Sequence, residues 1–173
     1  KLPLSEVLTP QGAKRETVQK AIRDLFVRNH LLPSFKIISA IDGAYVSSRF
    51  ITLPFSDKTK IAQTLPFELE EHIPFGLDQI IFDHHLVSSE DKSSKILVLF
   101  TPKEIIQKHL SLFEGTDISS DVLTSGAAAL FNLTVSQGEE AAETYAIVDI
   151  GHTQTSLAII EGASIRLLRT ISC

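Results

Sequence analysis

An α/β fold is predicted for this chain of 173 residues, and three observations predict it. Apolar residues recur at helical spacing from residue 15 to 26, from 56 to 73 and from 102 to 113. Short runs rich in β-branched and aromatic residues lie between them, and the two kinds of segment alternate along the chain.

Composition narrows what such a fold could do. An apolar content of 43% supports an ordinary globular interior, as one domain or as two small subdomains sharing a core. The net charge is −5, and the sixteen Lys and Arg residues are scattered singly rather than gathered into a stripe, which disfavours nucleic acid as a partner. The one cysteine, Cys173, cannot form an intrachain disulfide, so a cytoplasmic, reducing setting is expected. Apolar runs such as 96–100 and 127–131 fall far short of the roughly 20 residues of a membrane span, and no signal peptide is recognisable. With no methionine and a start at Lys1, the chain is expected to be a piece of a longer protein.

Taken in order, residues 1–12 carry Pro3, Pro10 and Gly12 without periodicity and read as an irregular lead-in. Val18, Ala21, Ile22, Leu25 and Phe26 then form one apolar stripe on a charged helix that Asn29 and Pro33 bring to an end. Residues 37–41 and 45–53 read as two strands joined by a sharp turn at Asp42-Gly43. Ile61, Leu65, Leu69 and Ile73 recur every fourth residue, so a helix is predicted that breaks or restarts at Pro66 and stops at Pro74. Two strands, 79–87 and 95–101, flank a polar loop, 88–94. Pro102 is placed to open the next helix, where its missing N–H is harmless, with Ile106, His109, Leu110 and Phe113 on one face and Gly115 at its end. A weak strand over 118–123, an alanine-rich helix over 125–133 and a polar linker over 136–143 follow.

The segment 145–171 then places an acidic turn between an apolar strand and a hairpin. Asp149 stands where a buried strand ends, Gly151 permits close backbone approach, and Thr153, Thr155 and Ser156 supply hydroxyls.

Four stretches, in this order, resemble the PilM family of type IV pilus assembly and the cytoplasmic domain of the type II secretion protein GspL. They are Ala40-Ile41-Asp42-Gly43 with the strand closing on Leu53-Pro54; Glu-Leu-Glu-Glu-His-Ile-Pro-Phe-Gly-Leu-Asp at 68–78; the strand and helix of 95–113 with Pro102-Lys103-Glu104 at their junction; and Asp149-Ile150-Gly151 with Thr155-Ser156-Leu157. The second is the most specific. The resemblance implies an actin-like (ribonuclease H-like) ATPase fold, here a fragment: residues 1–43 as part of subdomain 1A, 44–117 as the 1C insertion, 118–143 as the return to 1A and a linker, and 144–173 as the start of 2A.

It further implies an assembly-platform protein rather than an enzyme. Such a protein is peripheral to the inner membrane and binds cytoplasmic segments of PilN-like or GspM-like partners and a motor ATPase. The alternative is an ATP-binding protein whose nucleotide, with Mg2+, regulates partner binding through Asp149, Gly151, Thr153 and Thr155; no nucleotide is expected in this fragment, because a facing loop is missing. His152 and Gln154 stand where the family often has small residues. A sugar-kinase-like enzyme of the same superfold ranks last, since fold alone selects no chemistry.

Each singled-out residue also has a plainer reading. Asp149 can hold a magnesium-bound water or simply accept local backbone N–H bonds. Asp83, His84 and His85 are adjacent on a strand, so their side chains alternate between faces and a shared metal is disfavoured. His109 reads as a hydrogen-bonded boundary histidine, and Glu68, Glu70, Glu71 and Glu90 as a solvated acidic surface.

Overall fold

The computed structural model describes residues 15–31, 34–90, 92–136, 144–162 and 164–172, so the lead-in and linker residues 137–143 lie outside it. The helices are α1 (Arg15–Arg28), α2 (Lys58–Glu70), α3 (Lys103–Leu110) and α4 (Gly126–Ser136). The strands are β1 (Ile38–Ile41), β2 (Ser47–Leu53), β3 (Ile80–Glu90), β4 (Ser93–Pro102), β5 (Val122–Ser125), β6 (Thr144–Ile150), β7 (Gln154–Glu161) and β8 (Ser164–Ser172). They belong to two compact units: residues 1–41 with 104–124, and residues 42–103 with 125–173.

In the first unit, β1 and β5 form a two-stranded sheet. Its entrance is fixed by Asp121, whose carboxylate accepts from the Ile37 amide at 2.7 Å while its own amide donates to the Ile37 carbonyl at 2.9 Å. The stripe expected on α1 is only half-buried, and Leu25 remains 47% exposed. Polar contacts hold α1 instead. Gln19 donates to the carbonyls of Ser111 and Glu114, Arg23 donates to that of Gly115, and Arg15 pairs with Glu114. These side chains bond carbonyls of the turns that follow α3.

A chain of three hydrogen bonds crosses the same unit. Ser120 Oγ donates to the Val122 carbonyl at 3.0 Å and therefore accepts from Ser39 Oγ at 2.6 Å. With its proton so committed, Ser39 accepts from His109 Nε2 at 2.9 Å. This accounting assigns the Nε2–H tautomer to His109, and burial lowers its pKa below the ordinary 6.5.

The second unit is built around β4. In the sheet β2-β4-β3, both neighbours run antiparallel to it. Ile96, Val98 and Phe100 face one cluster, with Ile51, Leu53 and Ile80 from the sheet and Ile61, Leu65 and Leu69 from α2. Leu97 points the other way, into a cluster with Val87, Ala127, Phe131, Ala158, Ile160, Ile165 and Leu168. A strand buried on both faces reads as an unbroken apolar run, which is why 96–100 is Ile-Leu-Val-Leu-Phe. The second cluster joins α4 to the sheet β6-β7-β8.

Several sequence expectations are corrected. The strands β1 and β2 do not pair with each other: a 3-10 turn, Gly43–Tyr45, capped by the Asp42 carboxylate on the Ala44 amide, separates them, and they join different sheets. Nor does the helix break at Pro66. α2 runs through it, because Ile61, Leu65 and Leu69 are at most 3% exposed. Burying three such side chains contributes roughly 1.5–3 kcal/mol each, more than the ~3 kcal/mol penalty of an internal proline.

The polar loop is shorter than expected, since β3 continues to Glu90 past a bulge between Leu86 and Ser88, and β4 begins at Ser93. Pro102 closes β4 rather than opening α3. β5 starts only at Val122: the Ser120 hydroxyl is spent on the Val122 carbonyl and the Asp121 carboxylate on the Ile37 amide.

Candidate functional site

The acidic turn is the tip of the β6–β7 hairpin. The Gly151 amide donates to the Gln154 carbonyl at 2.9 Å, closing the chain around His152 and Thr153. A Cβ on residue 151 would lie 2.9 Å from that same carbonyl oxygen, so glycine is required here by close approach. The amide is already committed to this bond and does not point a free donor at a ligand.

Strand register decides which of the expected residues meet. Asp149 pairs with Ser156, and Ser156 with Thr170, so the three side chains share one face of the sheet. It is the core-facing side, on which Ile147 and Tyr145 pack lower down. Asp149 sits beyond the end of that core and is exposed, Ser156 is buried, and its hydroxyl lies 3.4 Å from that of Thr170. Thr155 pairs with Ile150 and faces the opposite side, while Thr153 is exposed in the turn. Asp149 and Thr155 therefore do not converge, and Thr170 stands across Ser156 from Asp149, in the same row.

Gln154 occupies the same face as Ser156, two positions nearer the turn. Its Oε1 atom is shielded from solvent and has no hydrogen-bond partner among the described residues. The polar end of the sheet thus presents acceptors, a carboxylate and an amide oxygen. Such a set suits a hydrated hard cation or a donor better than a bare phosphate oxygen.

Thr170 also reaches the 3-10 turn. A Cβ on Gly43 would lie 2.5 Å from its hydroxyl oxygen, so the Asp42-Gly43 and Asp149-Gly151 motifs both adjoin one polar row. A cavity of about 10 Å³ beside it, lined in part by Gly43, Ser48, Ser125 and Thr170, has room for a single water and none for a nucleotide. Sequence reading missed Thr170 because nothing local marks it; only the β7–β8 register brings it opposite Ser156.

On β3, His84 pairs with Val98 and His85 with Leu97, on opposite faces, and the Asp83 carboxylate accepts from the His84 amide at 2.8 Å. The His85 ring packs edge-on against Phe131, with centroids 5.8 Å apart. Among the described residues no three His, Cys, Asp or Glu side chains converge as metal ligands. Among them, too, no helix is long and apolar enough to cross a membrane.

A family model described as the type IV pilus assembly protein PilM matches residues 2–171. The chain belongs to the PilM family. No curated protein matches it. Among solved structures, a PilM-PilN type IV pilus biogenesis complex contains a chain with a TM-score of 0.80 at 20% identity, which covers 98% of this chain and 52% of that one. The cytoplasmic domain of EpsL, an inner membrane component of the type II secretion system of Vibrio cholerae, gives a TM-score of 0.60 at 10% identity, over 92% of this chain and 57% of that one.

This PilM-family chain therefore spans about half the length of the structures it resembles. Its fold is the actin-like α/β fold, present in part. The family is one of type IV pilus assembly proteins.

Proposed function

We propose that this chain is part of an assembly-platform protein that works by binding rather than by catalysis. It would recruit cytoplasmic segments of PilN-like inner-membrane partners, stay peripheral to the membrane through them, and link them to the motor ATPase. The observation that carries the reading is the family match across residues 2–171. The similarity to a PilM solved together with PilN supports it. The subdomain boundaries implied by the resemblance, with 1C over residues 44–117, belong to the same proposal. A pulldown of the full-length protein with the cytoplasmic tail of its PilN-like neighbour tests it; failure of that tail to bind counts against the proposal.

One observation favours a nucleotide-regulated version: Asp149 and the orphaned Gln154 oxygen lie on one face beside Ser156 and Thr170. In the longer protein these acceptors would hold the hydrated magnesium of ATP, which would supply the charge that draws a facing loop closed. The committed Gly151 amide and the outward Thr155 leave this half with little grip on phosphate. Calorimetry should detect no tight ATP binding by these residues alone, and micromolar binding would contradict this account.

A further inference from the structure

Three hydroxyl side chains from three different strands meet beside the 3-10 turn. Ser48 stands near the start of β2, Thr170 near the end of β8, and Ser125 at the end of β5, just before α4. With Gly43 of the turn they line the cavity of about 10 Å³, and all four residues belong to the second unit. Gly43, Ser125, Ala127 and Leu168 of its lining are buried.

The hydrogen bonds around this cavity leave one group short. Ser48 Oγ donates to the Leu168 carbonyl at 2.9 Å, so its proton is spent while its oxygen can still accept. Ser125 Oγ accepts from the Ala128 amide at 3.3 Å, and a hydroxyl oxygen has two lone pairs. Thr170 Oγ1 fares worst. Its contact with Ser156 Oγ is 3.4 Å, beyond the roughly 2.5–3.0 Å of an ordinary O–H···O bond. Glycine at position 43 leaves that hydroxyl its place, since a Cβ there would lie 2.5 Å from Oγ1.

We propose that the cavity holds one structural water, which accepts the Thr170 proton and donates to the oxygens of Ser48 and Ser125. Size and lining select this occupant. A water needs roughly 10–15 Å³, so the cavity admits one and nothing larger. Purely apolar cavities stay dry, whereas three hydroxyls fall within the roughly two to four partners that a buried water takes. None of the described lining residues is acidic, so a metal ion would find no charge to balance its own. The water ties β2, β8 and the start of α4 together beside the turn, and it anchors the row of Asp149, Ser156 and Thr170 at the end away from Asp149. It requires neither a nucleotide nor a PilN-like tail.

A high-resolution crystal structure of the full-length protein tests this directly. It should show one ordered water bonded to Thr170 Oγ1 and to at least one of the two serines, and Thr170→Val, which keeps the shape but removes the hydroxyl, should lose it. Urea unfolding reads the same bridge energetically. Ser48→Ala and Thr170→Val are each expected to lower the midpoint, but both release the same water, so the double variant should fall by clearly less than the sum of the two shifts. A dry cavity, a water bonded to Thr170 alone or not to it at all, or two shifts that simply add would overturn the proposal.

Discussion

The substitution Gly151→Ala tests the geometry of the β6–β7 turn most directly. A Cβ there would stand 2.9 Å from the Gln154 carbonyl oxygen, closer than real Cβ atoms come, and the obstacle is backbone that cannot rotate away. Relief requires opening the turn, which stretches the 2.9 Å bond from the Gly151 amide to that oxygen. Losing one such bond costs about 0.5–1.5 kcal/mol net, and forcing atoms into a packed site about 1–3 kcal/mol. The two overlap, so the expected destabilisation is about 1–3 kcal/mol.

With a urea slope of roughly 2 kcal/mol/M, the unfolding midpoint should fall by about 0.5–1.5 M. Gly126→Ala is the matched control: nothing lies within 4 Å of its Cβ position, at the start of α4. It should be neutral or stabilising by up to about 1 kcal/mol. Circular dichroism gives both midpoints, and hydrogen exchange at residue 151 reports the turn itself. If the two variants unfold at the same urea concentration, the close approach at Gly151 is not what shapes this hairpin.

Three further predictions concern the interior. Pro66→Ala should stabilise by about 1–3 kcal/mol, since α2 is already continuous and gains an amide donor; a loss would show that the ring packs usefully. Leu69→Ala, at a site with 0% exposure, should destabilise by about 2–5 kcal/mol in the same urea assay. Burial lowers the His109 pKa, so the unfolded chain binds its proton first. The stability this confers is complete above the ordinary 6.5 and is lost as pH falls through the lower, folded value. His109→Gln, which can still donate to Ser39, should flatten that part of the stability profile, and an unchanged profile would exclude His109 as its source.

Much of this architecture was legible from the chain. The apolar run 96–100 announced a strand buried on both sides, and the four-residue spacing of Ile61, Leu65 and Leu69 announced the face of α2. Local signals failed where distant partners decided the outcome. Pro66 argued for a break, but packing on the sheet outweighed it. The Asp42-Gly43 turn looked like a hairpin, yet β1 finds its partner about eighty residues on, at β5. At the acidic turn, the residue types of Asp149, Gly151 and Thr155 were visible, but which of them share a face depended on a register that spacing alone does not give.

The double burial of β4 has a consequence for how sequence can drift in this unit. Ile96 and Leu97 are neighbours in the chain but answer to different interiors, one roofed by α2 and the other by α4. A swap that suits one interior leaves the other unaltered, so the two can be retuned separately through alternate residues of one strand. Their fates are nonetheless joined, because both interiors rest on β4, which is bonded to β2 and β3 along its length. Slow amide exchange should therefore concentrate along residues 95–100, and a lesion in either interior should be felt in both.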